Sequence, residues 1–283
     1  MRLVTFQRNS SVEPGLLVDG SVLGLKAAGF ATMLETIEQG ADALRRIQAW
    51  EAKHGAQQRL PLSGVDLLAP IPRPPKIICV GLNYRDHAKE CGADIPKVPT
   101  IFSKYTTAVL APGAEIVLPA KSKAPDYEAE FAVVIGKGGR YITQDRWKEH
   151  VFGYTNLNDV SARDFQEATS QWMIGKTFDT FAPFGPAIVT ADEIPDPHTL
   201  DIQMVINGEV LQSSNTSEMV FRIPYLLEHI SSVFTLEPGD IISTGTPAGV
   251  GEAKKPPRWL RPGDDVLVRI SGIPELHNGV RAE

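Results

Sequence analysis

Apart from two short helical stretches, the main part of this chain is a series of β-rich runs, each cut off by glycine or proline. The runs 76–80, 116–118, 128–135, 187–190, 201–206, 240–243 and 265–270 are rich in Val, Ile and aromatic residues and are only three to eight residues long. Turn signals separate them: Gly136-Lys-Gly-Gly139, Asn207-Gly208, Pro238-Gly239 and Pro262-Gly263. In this region only 145–150 and 224–234 carry helical spacing. A chain built this way cannot make the long alternating βαβα series of a doubly wound sheet. The expected class is mainly β with short helices, an α+β fold.

The first 75 residues read differently. Residues 2–6 alternate as a strand, and 15–25 read as a hairpin turning at Asp19-Gly20. Met33, Leu34, Ile37, Ala41, Leu44, Ile47 and Trp50 recur at three- and four-residue spacing, which predicts a helix over about 31–54 with a break at Gly40. Residues 69–75 hold four prolines, which remove hydrogen-bond donors and fix φ. They read as a linker, so 1–68 is expected to be a small accessory α+β module and 76–283 the main domain.

The net charge of −6 argues against a nucleic-acid partner, which would need a basic face. The two cysteines, Cys79 and Cys91, form neither a CxxC pair nor a disulfide framework. There is no apolar leader at the start and no run of the length a membrane helix needs. The compartment expected from these features is the cytoplasm. Met173, Met204 and Met219 read as core filler. No Gly-x-Ser-x-Gly, Ser-x-x-Lys, His-Glu-x-x-His or Gly-x-Gly-x-x-Gly motif occurs.

The densest chemistry lies in Asp126-Tyr-Glu128-Ala-Glu130-Phe-Ala-Val-Val-Ile-Gly136. On a strand, residues i and i+2 share a face, so Glu128 and Glu130 point the same way, above Ala132 and Val134. Two adjacent carboxylates repel, and a proton, a basic partner, water or a divalent cation must compensate. The segment Asn158-Asp159-Val-Ser-Ala-Arg163-Asp164 offers a third carboxylate, either Asp159 or Asp164, although Asp159 could equally cap a helical turn. In Gly81-Leu-Asn-Tyr84-Arg-Asp-His87-Ala-Lys-Glu90-Cys-Gly92 the spacing puts His87 and Glu90 on one face of a short helix. That pairing suits a general base and suits an ordinary surface pair equally well. Lys176 stands alone among apolar and aromatic neighbours, either snorkelling to solvent or desolvated with a task. Gly245-Thr246-Pro-Ala-Gly249-Val-Gly251 is a glycine loop without the ending of a nucleotide-binding loop.

Taken together, the motifs beginning at Gly81, Tyr127, Asn158, Gly175 and Gly245 resemble the fumarylacetoacetate hydrolase family over essentially all of 70–283. They are closest to its domain-containing group, the second type in particular. The resemblance implies a mixed β-sandwich roll, usually a homodimer, with Mg²⁺ or Mn²⁺ held by Glu128, Glu130 and Asp159. It implies that His87 and Glu90 form a water-activating pair on a lid, that Lys176 is catalytic, and that Arg163, Gln166, Thr246 and Tyr84 contact substrate. Some members take a fourth acidic ligand near the position of Asn83; three ligands plus water are therefore expected here. The first functional reading is a hydrolase cleaving a C–C bond in an acylpyruvate-type 2-oxo acid. In that reading His87 activates water, and Lys176 steadies the departing enolate. The alternative reading, at the same site, is tautomerisation or decarboxylation of oxaloacetate, or isomerisation or hydration of an unsaturated 2-oxo acid. The third is a binding protein without activity.

Overall fold

A computed structural model describes residues 1–283. Most of its strands join one large mixed sheet. Across that sheet the order is Arg59–Pro61, Ser21–Gly24, Ser11–Val18, Arg2–Arg8, Ala182–Thr190, Val151–Asn158, Ala129–Ile135, Ile241–Ser243, Ile77–Gly81 and Thr100–Lys104. A second sheet runs Glu209–Asn215, Asp201–Ile206, Asp265–Ile270, Leu276–Ala282, Glu115–Leu118. The fold is a mixed α+β arrangement, mostly strands with short helices.

Ala129–Ile135 lies near the middle of the large sheet and is buried along its whole length. Its two faces go to different cores. Phe131, Val133 and Ile135 join Ile202, Met204, Val266 and Val268 of the second sheet. Ala132 and Val134 face a core that includes Leu3, Ile37 and Ile47. A strand covered on both sides reads as a continuous apolar run, which is why 131–135 contains no polar residue. The positions of Glu128 and Glu130 follow from the same alternation.

Segment 1–68 does not stand apart from the rest. Arg2–Arg8 pairs antiparallel with Ala182–Thr190, in register Leu3 to Ile188, so the N-terminal strands continue the main sheet. Thr5 Oγ1 donates to the carbonyl of Pro70 at 2.6 Å, and Ala69, Pro70 and Ile71 are buried. The N-terminal helix is broken as expected, into Met33–Glu38 and Gly40–Gln58.

Three differences from the sequence reading matter. Residues 145–150 form a tight 3-10 turn, Gln144–Glu149, rather than an α-helix. Arg163–Gln166 and Met173–Lys176 are four-residue helices that periodicity could not reveal, because one turn has no repeat. They carry Arg163, Gln166 and Lys176. No helix is long and apolar enough to cross a membrane.

Candidate metal centre and active site

The strand register gathers the acidic residues. Ala129 pairs with Asn158, so Glu128 and Asp159 sit side by side just beyond that pair, and Asp159 N donates to the Glu128 carbonyl at 2.9 Å. Glu130 lies two residues along on the same face. Glu128, Glu130 and Asp159 are all buried, and each offers a carboxylate oxygen within 4.8 Å of the others. Asp164 is excluded from this group. It is exposed, and its oxygens accept from Ser122 Oγ and Lys123 N, both at 2.8 Å.

Cations reach two of the three carboxylates. Lys176 Nζ lies 2.8 Å from Glu128 Oε2 and 3.0 Å from Asp159 Oδ2. Arg163 lies 2.7 Å from Glu128 and 2.8 Å from Asp126. Lys104, which the sequence reading passed over, is wholly buried and pairs with Asp159. Its only signal was a lysine closing the short strand Thr100–Lys104. Burial opposes ionisation of Glu128, but Lys176 and Arg163 overcome it and hold that carboxyl well below the usual range. Burial also opposes the charge on Lys176, yet Asp159 and Glu128 raise it to about 12.

Glu130 differs. Its Oε2 accepts from Ser243 Oγ and, at 3.0 Å, from Gly245 N, and no side-chain cation reaches it. Burial, then the charges of Asp159 and Glu128, push its carboxyl well above the ordinary value. A buried carboxylate beside two others, served only by neutral donors, fits a bound divalent cation. Glu128, Glu130 and Asp159 would hold it. Asn83 is not a fourth ligand, because its amide is committed to the carbonyls of Phe221 and Thr244 and to Phe221 N. Gly245 must be glycine on two counts: its φ is +97°, and a Cβ would lie 2.9 Å from both Asn83 Cβ and the Val80 carbonyl oxygen.

The stability of the metal-free protein should follow from this. A carboxyl raised on folding binds its proton better in the folded state, so stability falls as pH rises through the folded value. The cation needs these ligands ionised, so its benefit grows with pH. At a hundredfold excess over Kd, Mn²⁺ should contribute about 2.7 kcal/mol. That corresponds to roughly 5–10 °C in the unfolding midpoint near pH 8, with a smaller gain at pH 5. A midpoint indifferent to Mn²⁺, or equally raised at both pH values, would count against the site.

A cavity of about 110 Å³ opens onto Glu128 and Glu130, lined also by His87, Arg163, Gln166, Lys176 and Thr246. A larger open trough of about 770 Å³ along Thr100–Lys104 contains no acidic residue, so size alone does not mark the site. His87 sits on the helix Arg85–Glu90, entered through Leu82 at φ 50°, an uncommon conformation for a bulky residue. Glu90 Oε2 lies 3.2 Å from His87 Nδ1 and accepts from Gly249 N at 3.0 Å, which ties the helix Arg85–Glu90 to the glycine loop. Burial disfavours the imidazolium, but Cys91, Glu90 and Glu128 outweigh it and raise His87 to about 9. Cys91 has its Sγ 3.8 Å from both ring nitrogens of His87.

Thr246 Oγ1 donates to the Ala129 carbonyl at 2.9 Å and accepts from Gln212. Gln166 Oε1 accepts from Arg163 at 3.0 Å. Tyr84 falls outside the cavity. It is fully buried in the core facing the second sheet, because the residue before the helix Arg85–Glu90 turns inward. Asp126 was another residue passed over; it anchors Arg163 and accepts from Gly251 N at 2.7 Å and Glu252 N at 3.1 Å.

Three buried, converging carboxylates, beside a small cavity that also holds a lysine and a histidine, define a metal-dependent enzyme. The chain belongs to the fumarylacetoacetate hydrolase family, whose C-terminal domain profile, "Fumarylacetoacetate (FAA) hydrolase C-terminal", matches residues 76–281. It is 46% identical to the bovine protein named oxaloacetate tautomerase FAHD2A, mitochondrial, over 99% of this chain and 91% of that protein. Among solved structures, it is similar to maleylpyruvate hydrolase from Sphingobium sp. SYK-6 in complex with manganese(II) and pyruvate (TM-score 0.84, 33% identity, 100% of this chain and 99% of that one). It is also similar to 5-carboxymethyl-2-hydroxymuconate delta-isomerase from Mycobacterium smegmatis (TM-score 0.80, 36% identity, 100% and 99% covered).

Proposed function

We propose that this enzyme interconverts the enol and keto forms of oxaloacetate, using Mg²⁺ or Mn²⁺. This was the alternative in the sequence reading, and it is better supported than acylpyruvate hydrolysis, which came first. The observation that carries it is His87 and Lys176 set in one cavity with Glu128 and Glu130, a proton-moving group and a cation beside the acidic cluster. In the metal-free protein burial lowers His87 but Cys91, Glu90 and Glu128 together raise it further, which suits a group that hands a proton to carbon. The likeness to a tautomerase across 99% of the chain points the same way.

Ketonisation adds a proton at C3 and removes one from the oxygen at C2. His87, oriented by Glu90, supplies the proton to C3 and takes it back in the reverse direction. The proton on the C2 oxygen leaves to solvent water as the enolate binds, and solvent returns a proton to His87 after it has protonated C3. Lys176, held as an ammonium by Asp159 and Glu128, offsets the negative charge left on the C2 oxygen. The cation, when bound, supplies Lewis-acid polarisation of the 1-carboxylate and 2-oxo oxygens. No attacking water is required. The fit of Glu90 beneath His87 and the likeness to maleylpyruvate hydrolase keep C–C hydrolysis as a second reading.

The two readings separate in one assay set. The absorbance decay of enol-oxaloacetate is followed with and without enzyme, after EDTA and after Mn²⁺ is restored. Pyruvate release is measured in parallel from acetylpyruvate and fumarylpyruvate. The expected result is metal-dependent acceleration of the decay, with little or no pyruvate released. Rapid pyruvate release without tautomerisation would make the enzyme a hydrolase. Full activity in EDTA would remove the metal from the account.

A further inference from the structure

The tautomerase reading leaves open what limits the length of the substrate. Polar groups on one part of the cavity lining serve the 2-oxo acid. The apolar part is built from Val80, Leu82, Phe102 and Trp172 around the bare backbone of Gly81. Trp172 is wedged. A Cβ at position 81 would lie 2.2 Å from its Cζ3 and 3.0 Å from its Cη2, so the indole rests directly on the glycine. Its other side meets Phe102 edge to face, with ring centroids 5.7 Å apart. Phe102 in turn lies 5.2 Å beneath the Lys176 ammonium. Trp172 has helical φ and ψ and immediately precedes Met173–Lys176, so residues 172 and 176 fall on one face and are aimed together. Gly175, between them, lets this turn press on the backbone of Gln166: a Cβ there would come 2.4 Å from Gln166 N. The backbone that carries the wall and Lys176 is therefore held against that of Gln166.

We infer that Trp172, seated on Gly81 and braced by Phe102, is the end wall that sets substrate length, admitting short 2-oxo acids of about oxaloacetate's size and refusing longer chains. The inference rests on the reading of the site as a 2-oxo acid site. The cavity of about 110 Å³ is far below the ~300–1,000 Å³ typical of pockets for drug-sized ligands. A chain extended by two or three methylenes would run into the indole where it rests on Gly81.

The test uses binding to the Mn²⁺-loaded full chain, so it does not depend on which reaction is catalysed. Titration calorimetry gives Kd for pyruvate, 2-oxobutyrate, 2-oxovalerate and 2-oxohexanoate with the wild type, Trp172→Ala and Trp172→Phe. In the wild type, affinity should fall at least tenfold from 2-oxobutyrate to 2-oxohexanoate. In Trp172→Ala, 2-oxohexanoate should gain at least tenfold relative to pyruvate. Trp172→Phe, which keeps a smaller ring on Gly81, should fall between and guards against loss of folding in the alanine variant. The wall is overturned if pyruvate binds while the ranking is unchanged in both variants, or if the wild type takes 2-oxohexanoate as tightly as pyruvate. Should none of the four acids bind to the wild type, the 2-oxo acid reading itself fails and takes the wall with it.

Discussion

Glu130→Gln should abolish turnover while making the metal-free protein more stable at neutral pH. The two effects have one cause. Glu130 is the buried carboxylate that no lysine or arginine reaches, and burial and its acidic neighbours push its carboxyl well above the ordinary value. Glutamine preserves the shape, and its carbonyl oxygen keeps the acceptor role toward Ser243 Oγ and Gly245 N. Its amide would face Glu128 and Asp159 as a neutral donor with no proton to lose as pH rises. Relieving a third charge there is expected to contribute about 1–3 kcal/mol, or roughly 2–10 °C in the unfolding midpoint without metal. The same change removes one of three ligands, so turnover should fall at least ~10³-fold and the Mn²⁺-induced rise in midpoint should largely disappear. Thermal unfolding of both proteins in EDTA and in Mn²⁺, alongside the oxaloacetate assay, measures all of this. A Glu130→Gln protein that is less stable in EDTA and still stabilised by Mn²⁺ would show that the three acids do not share an ion.

The second large effect is expected at His87. His87→Gln should lower kcat by about 10²–10⁴-fold with little change in Mn²⁺ affinity, because His87 is not among the converging carboxylates. In the wild type, ketonisation requires the protonated ring, so the rate should decline on the alkaline side as His87 loses its proton. Glu90 is one of the groups that raises His87, and Gly249 N fixes it in place. Glu90→Gln should therefore cost less, about tenfold, and move the alkaline limb toward neutral pH, since removing a raising influence lowers the histidine. A limb that stays in place in Glu90→Gln, or a kcat that survives His87→Gln, would transfer the proton step to another group. Lys176 would then be the first to examine.

Much of the site could be read from the sequence because its parts are local. Glu128 and Glu130 share a face through the two-residue period of a strand, and Ala132 and Val134 continue that face into the core below. His87 and Glu90 meet because one helical turn separates them, and the ring-to-carboxylate distance of 3.2 Å bears out that spacing. Strands 201–206 and 265–270 were equally plain, since each keeps turn residues at its ends. Tyr84 shows where local reading stops. Its place beside the lid suggested a substrate contact, but whether a ring at the start of a helix turns toward the cavity or the core depends on what packs there, and here the core claims it.

What the sequence determined by itself was the set of repeating and short-range relations: short strands, which residues share a face, and which pair across one turn. These follow from backbone geometry, which is the same wherever the element ends up. Only the tertiary structure decided which distant segments meet. It chose Asp159 over Asp164 through the pairing of Ala129 with Asn158, and it brought Lys104 across from the outer strand to Asp159, 55 residues away. It also placed Trp172 on Gly81 and left Glu130 without a cation. Strand order and register set those meetings, through burial summed over the whole sheet, and no window of the chain contains that sum.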